Sequence, residues 1–211
     1  LPPPVGPFPD LPGLTRIALV RDPEPGSLER SPIAQALRGS VGRGELASWG
    51  AAYTSIDGAL AGLADALASG SRLVAAPANL LVARSTRRLG AQLTRGGAGL
   101  VAQDPFSSGR LDGRLFEETR WAIGPSELPR NLTSLQESLG PVTRLGFLSE
   151  GRRRTLPQAA LRFLLDLPAV VTIAWDFLTP RILADSEALD AVPSLSEAEI
   201  ARVDAVTGTG T

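Results

Sequence analysis

Residues 155–175 read TLPQAALRFLLDLPAVVTIAW, and this stretch decides the fold class. Thr155 followed three residues later by Gln158 has the spacing of a capping box, in which each side chain satisfies a backbone amide of the other at a helix start. Leu156, Ala159, Ala160, Phe163, Leu164 and Leu167 recur at helical spacing as one apolar face. Pro168 disfavours helix in the residue before it. Residues 169–174 (AVVTIA) then form an unbroken, β-branched run, the pattern of a parallel strand buried on both faces. A helix leading at once into such a strand is an α/β unit.

Working outward, the same unit recurs. Strands are predicted at 14–20 (LTRIALV), 45–51 (ELASWGA), 72–76 (RLVAA) and 99–103 (GLVAQ). The first three are followed by helical patterns at 32–41, 56–68 and 80–93; Ser31-Pro32 opens the first and Gly70 closes the second. Residues 110–130 read as irregular, with short helical pieces around 132–139 and 141–148. After the fifth strand, a helix is predicted over 179–189. Ser194 with Glu197 three residues on predicts a second capping box, opening a helix to about residue 206. Residues 1–13 (LPPPVGPFPDLPG) read as a proline-rich linker, 14–206 as one domain and 207–211 as a flexible tail. Five strands alternating with helices imply a parallel sheet with right-handed crossovers. A doubly wound open sheet and part of a barrel both satisfy that pattern. No GxGxxG or phosphate loop follows any strand.

Composition narrows the chemistry. The chain has 211 residues, a formal charge of -1 and no His, Cys or Met, and its 21 basic side chains are all Arg. Imidazole bases, Schiff-base lysines, thiolates and Cys/His metal sites are therefore excluded. Carboxylates, hydroxyls, Arg and a single tyrosine, Tyr53, remain. No membrane span or nucleic-acid surface is evident, and a cytoplasmic location is the expectation. Asp104 and Asp176, at successive strand ends, read as a pair for metal binding or general acid–base work, or as turn and cap residues. Arg21 at the end of the first strand reads as an anion clamp or as a loop arginine paired with Asp22 or Glu24. Trp49 and Trp175 are expected to pack at strand ends, and Arg152, Arg153 and Arg154 to form a solvated loop.

Several segments, in order, resemble the aldo-keto reductase superfamily from its fourth barrel strand onward. GRGELASWGAA is similar to that family's "GKIRaiGvSN" strand, and RLVAAPANLL to "vvQ.pyNll". GAGLVA followed by DPFSSGRLDG is similar to its "PL..G.L.G" loop, and RTLPQAALRFLLDLPAV to "t.aqlALrw.l..p.v". TPRILADSEAL and PSLSEAEIARVDA match its last two helices in place and character. The resemblance implies an α/β fold, a partial (β/α)8 TIM barrel of aldo-keto reductase type with about five βα units. It also implies NADP(H) as cofactor and carbonyl reduction as activity. It places Arg21, Tyr53 and Asp104 at the catalytic mouth, and Gln103, Pro105, Ser107, Asp176, Thr179 and Asp185 along the cofactor track; no metal is expected. The family's catalytic His falls on Arg21, its Ser-Asn pair on Ala52-Tyr53, its ring-stacking Tyr on Gln103 and its phosphate-loop residues near Asp176 and Leu178. These replacements lead us to expect a domain inactive on its own. The alternatives are a non-catalytic binding or regulatory subunit, or a different enzyme using strand-end carboxylates. Units equivalent to the first three strands are missing, so we expect self-association or a partner that supplies the N-terminal half-barrel.

Overall fold

The computed structural model describes residues 15–112, 140–175 and 179–208. Five strands, β1 (Ile17–Arg21), β2 (Ser48–Ala52), β3 (Leu73–Pro77), β4 (Gly99–Gln103) and β5 (Val170–Ala174), pair parallel in chain order, β1-β2-β3-β4-β5. Doubly wound sheets reverse direction at a switch point. A sheet that never reverses, with right-handed crossovers, carries all its helices on one face, which is the arrangement of a barrel wall.

The helices are α1 (Pro32–Gly42), α2 (Ile56–Ala68), α3 (Ala83–Arg95), α4 (Leu156–Leu165), α5 (Pro180–Glu187) and α6 (Glu197–Thr207). Each start is local chemistry. Ser31, Ser55 and Thr179 accept from the amides of Ile33, Gly58 and Ile182. Thr155 and Gln158 form the expected capping box, with Thr155 N donating to Gln158 Oε1 at 2.9 Å. Toward the helices, Ala51, Val74, Ala76, Leu100 and Ala102 of the sheet meet Leu63, Leu89, Leu93, Phe163 and Leu164 in one core. Burying each large side chain of that set contributes about 1.5–3 kcal/mol. Among the described residues, no helix is long and apolar enough to cross a membrane.

Three expectations need correction. The final capping box is Ser196 with Glu199, not Ser194 with Glu197. Ser194 stays outside the helix, and its carbonyl accepts from Arg154 Nη1 at 3.3 Å. β5 is not buried on both faces: Val171 is 60% exposed and Thr172 is exposed, because β5 is the last strand of the sheet. Arg154 is not solvated either. It is buried, donating to the carbonyls of Leu148 (3.1 Å), Pro193 (3.1 Å) and Ser194 and pairing with the Glu199 carboxylate, so it ties the start of α4 to α6. The helical pieces expected at 132–139 lie outside the described residues. Those at 141–148 are a helical turn at 140–144 continuing into a 3-10 segment, Leu145–Arg152.

Burial by itself pushes the Glu199 carboxyl up, but the Ser196 hydrogen bonds and the Arg154 charge outweigh it and hold the group below its ordinary value. A carboxyl depressed by folding contributes stability above its unfolded pKa of about 4.3, and that stability is lost as pH falls through the lower folded value. Arg154→Ala is expected to lower unfolding stability by roughly 3 kcal/mol in urea titrations, since it strands the facing carboxylate and carbonyls. Glu199→Gln is expected to give a flatter fall of Tm below about pH 4 than the parent chain.

Candidate functional site at the strand ends

The C-terminal ends of all five strands share one rim, because parallel strands run the same way. Two of them turn through aspartates in the left-handed region: Asp22 after β1 (φ 41°) and Asp104 after β4 (φ 49°). Aspartate tolerates that conformation when its side chain bonds locally. Asp22 Oδ1 accepts from Thr54 N at 2.8 Å and Thr54 Oγ1 at 3.1 Å, which clips the loop after β1 to the one after β2. Asp104 Oδ1 accepts from Ser108 N at 2.6 Å. Ser107 (φ 51°), Ser108 (φ 56°) and Gly109 (φ 85°) continue the left-handed path, a concentration of backbone strain of the kind held at ligand-binding loops.

Neighbouring side chains hold that loop in place. Asn79, nearly fully buried, donates through Nδ2 to Asp104 O at 3.2 Å and accepts through Oδ1 from Leu81 N at 3.0 Å. Arg110 reaches back to Ser107, with Nε to its carbonyl at 3.0 Å and Nη2 to its hydroxyl at 2.7 Å. The result is a pocket of about 500 Å³. It is lined by Gln103, Asp104, Pro105, Phe106 and Ser108 from the end of β4, and by Ala174 and Trp175 from the end of β5. Phe106 and Trp175 meet edge to face, ring centroids 6.2 Å apart at 83°. The volume falls within the ~300–1,000 Å³ of small-molecule sites.

Of the residues singled out from sequence, Gln103, Asp104 and Pro105 line this pocket, and Ser107 sits beneath it with its hydroxyl occupied by Arg110. Arg21 is apart, three strands or about 14 Å away at the usual ~4.8 Å spacing. Its side chain is largely exposed, and its Nε lies 3.7 Å from Asp22 Oδ2. Thr179 is the cap of α5, its hydroxyl accepting from Ile182 N at 3.3 Å. Asp185 is half-buried on α5, where its carbonyl accepts from Gln158 Nε2. Asp176 lies outside the described residues. Trp49 lies inside β2, not at its end.

Tyr53 turns away from the rim. It shares the parity of Trp49 and Ala51 and so faces the helices, where its ring lies against Gly62 of α2. A Cβ at Gly62 would sit 2.4 Å from the phenol oxygen. That oxygen is buried and has no hydrogen-bond partner among the described residues. Burial, then the charges of Asp65 and Asp22, push the phenol up to about 12. The structural roles of Asn79 and Asp22 were missed from sequence. Asn79 falls in the quoted PANLL segment, and the only signal was a polar residue in an apolar run.

Chemically, the pocket offers an amide, a carboxylate and two aromatic edges. Among the described lining residues there is no cationic side chain. Beside Asp104 a phosphate would meet like charge, so this lining does not fit the phosphates of a dinucleotide. Among the described residues, no group of three or more carboxylates is placed to hold a metal ion.

A non-reversing parallel sheet with its pocket at the C-terminal strand ends defines a (β/α) barrel segment. Solved structures narrow this to the aldo-keto reductase fold. The chain superposes on the glycerol dehydrogenase of Gluconobacter oxydans with a TM-score of 0.62 and 17% identity, covering 90% of this chain and 57% of that one. An aldo-keto reductase from Bacillus halodurans in its apo form gives 0.59 and 16%, covering 90% and 61%. A thermostable aldo-keto reductase bound to the inhibitor epalrestat gives 0.57 and 18%, covering 90% and 59%. The chain thus spans about three-fifths of the length of these proteins. No protein-family model and no curated protein matches it.

With one tyrosine in the chain, its ionisation can be followed alone. The tyrosinate absorbance is expected to rise with a midpoint near 12 in the folded protein, and near ~10 in denaturant. The raised value means that Tyr53 favours the fold below its unfolded pKa and loses that contribution as pH climbs through the folded value. Tyr53→Phe removes an unpartnered buried hydroxyl and is expected to leave urea stability unchanged or raise it by up to ~1 kcal/mol.

Proposed function

We propose that this chain is an aldo-keto reductase-type domain that binds a small ligand at its strand ends and does not, on its own, reduce carbonyls with NADP(H). The observation that carries this reading is the placement of Tyr53. Carbonyl reduction needs a proton donor at the rim, and the single phenol is sealed against Gly62 on the helix side. No His or Lys exists to replace it. The lining of the pocket supports binding over catalysis: Gln103 and the Phe106–Trp175 pair suit a flat, weakly polar group, and Asp104 opposes an anionic one. The reading as a different enzyme using strand-end carboxylates has less support. Asp104 has one oxygen committed to Ser108 N, and Arg21 is paired with Asp22.

The test is an NADPH titration followed by tryptophan fluorescence and thermal shift, with a steady-state assay on simple aldehydes. No saturation below about 1 mM, which is weaker than ~4 kcal/mol of binding, is the expected result, together with no NADPH oxidation. Saturable micromolar binding with aldehyde-dependent oxidation would sink the proposal.

A further inference from the structure

The polar groups of the rim divide into those that hold loops and those that do not. Asp22 and Thr54 clip two loops together, and Asn79, Ser107 and Arg110 brace the loop after β4. Two groups in the pocket wall are left over. The first is half of the Asp104 carboxylate: Oδ1 accepts from Ser108 N at 2.6 Å, but Oδ2 has only Ser108 Oγ, at 3.5 Å, the long limit of a hydrogen bond. Among the described residues Asp104 forms no ion pair, and Arg110, the cation of the same loop, is turned onto Ser107. The second is the Gln103 amide. Leu100 and Ala102 of β4 enter the helix-side core, so alternation sends Gln103 to the other face, where it lines the pocket. Its side chain makes no hydrogen bond among the described residues. The wall beside these two groups is apolar, formed by Pro105 and the edge-to-face Phe106–Trp175 pair.

We propose that this pocket selects a small organic cation, a flat ring bearing an amidinium or guanidinium group. The proposal deepens, and rests on, the reading of the strand ends as a small-ligand site. A carboxylate oxygen and an amide oxygen on consecutive residues are two acceptors side by side, and a planar amidinium presents N–H donors from two nitrogens in a fork. One nitrogen donates to Asp104 Oδ2 and the other to Gln103 Oε1. The ring then lies against Phe106 and Trp175, which cover flat apolar surface and favour a neighbouring positive charge. An anionic ligand meets like charge at Asp104, and a neutral amide satisfies Gln103 while leaving that charge uncompensated. Asn79 and Arg110 fix the loop in its left-handed path before any ligand arrives, so binding orders little further chain. The volume of about 500 Å³ accommodates a single substituted ring.

Benzamidine, benzamide and benzoate share a ring and a shape and differ in charge, so together they test the proposal on the unaltered chain. Followed by amide NMR shifts of the isotope-labelled protein, benzamidine is expected to saturate below about 10 mM, with its largest shifts at Gln103, Asp104 and Ser108. Benzamide and benzoate are expected to bind roughly tenfold or more weaker, the share of one charge-assisted hydrogen bond. Asp104→Asn keeps an Oδ1 acceptor for Ser108 N and tolerates the left-handed region. It is expected to lower benzamidine affinity by a similar factor and to leave benzamide binding unchanged. Benzamide or benzoate binding as tightly as benzamidine overturns the inference, as does benzamidine that fails to saturate or shifts residues away from this loop. So does an Asp104→Asn chain that retains benzamidine affinity; should that variant not fold, the ligand series on the parent chain still decides. Equal binding of benzamide leaves the small-ligand reading standing and removes only the cation. NADPH binding with aldehyde-dependent oxidation removes that reading itself, whatever benzamidine does.

Discussion

Parallel pairing of each strand with its successor in the chain is the constraint on which the rest depends. Right-handed crossovers from a sheet that never reverses must all fall on one side. That side receives the helices and becomes the core of Ala51, Val74, Leu100 and their partners. Among the described residues, the opposite side carries the inward side chains of the strands themselves, and in a barrel it is covered by closure. Within β5 the difference is visible at neighbouring positions. Val170 and Ile173 are half-buried against the helix layer, whereas Val171 and Thr172 are exposed.

The same constraint brings every strand end to one rim, and the rim is where the polar residues are used. A chain leaving a parallel strand must turn sharply toward its crossover helix. At Asp22 and Asp104 the turn passes through the left-handed region, at a cost of about 1–2 kcal/mol for each non-glycine residue. The carboxylates offset that cost by accepting from Thr54 N and Ser108 N. Asn79 and Arg110 brace the second loop from either end. Strain here maintains a pocket shape; the groups that hold it are thereby engaged.

Much of this architecture is legible in sequence because it follows from local chemistry. The limits of α2 and β4, and the Thr155–Gln158 box, come from a cap, a periodicity and a stop that lie within a few residues of one another. What local pattern does not contain is the neighbour. The run AVVTIA has the composition of a strand covered on both faces, yet coverage depends on what lies beside β5. Ser194 and Ser196 are equally able to cap a helix; the choice goes to Ser196, whose box partner Glu199 is also the partner of buried Arg154. The buried role of Arg154 is likewise invisible in a run of three arginines, since the Pro193 and Ser194 carbonyls that accept from it lie about 40 positions away. In the site, the strand-end positions Gln103, Asp104 and Pro105 were legible because a strand's end is local. The direction of Tyr53 was not, because parity acquires a meaning only when one face is known to carry helices.

That parity decides the chemistry open to the fold. In a barrel, inward and rim side chains reach a ligand, and outward ones reach helices. Tyr53 continues the outward series of Trp49 and Ala51, and α2 meets it with Gly62, where even a methyl group would collide with the phenol. A phenol accommodated by a glycine on the facing helix is a packing element, and its pKa near 12 is the electrostatic signature of that burial. At the inward position one residue earlier stands Ala52, which carries no functional group. The rim therefore carries a shaped loop after β4 with an aromatic pair beside it, while the chain's single phenol packs on the helix side of the sheet.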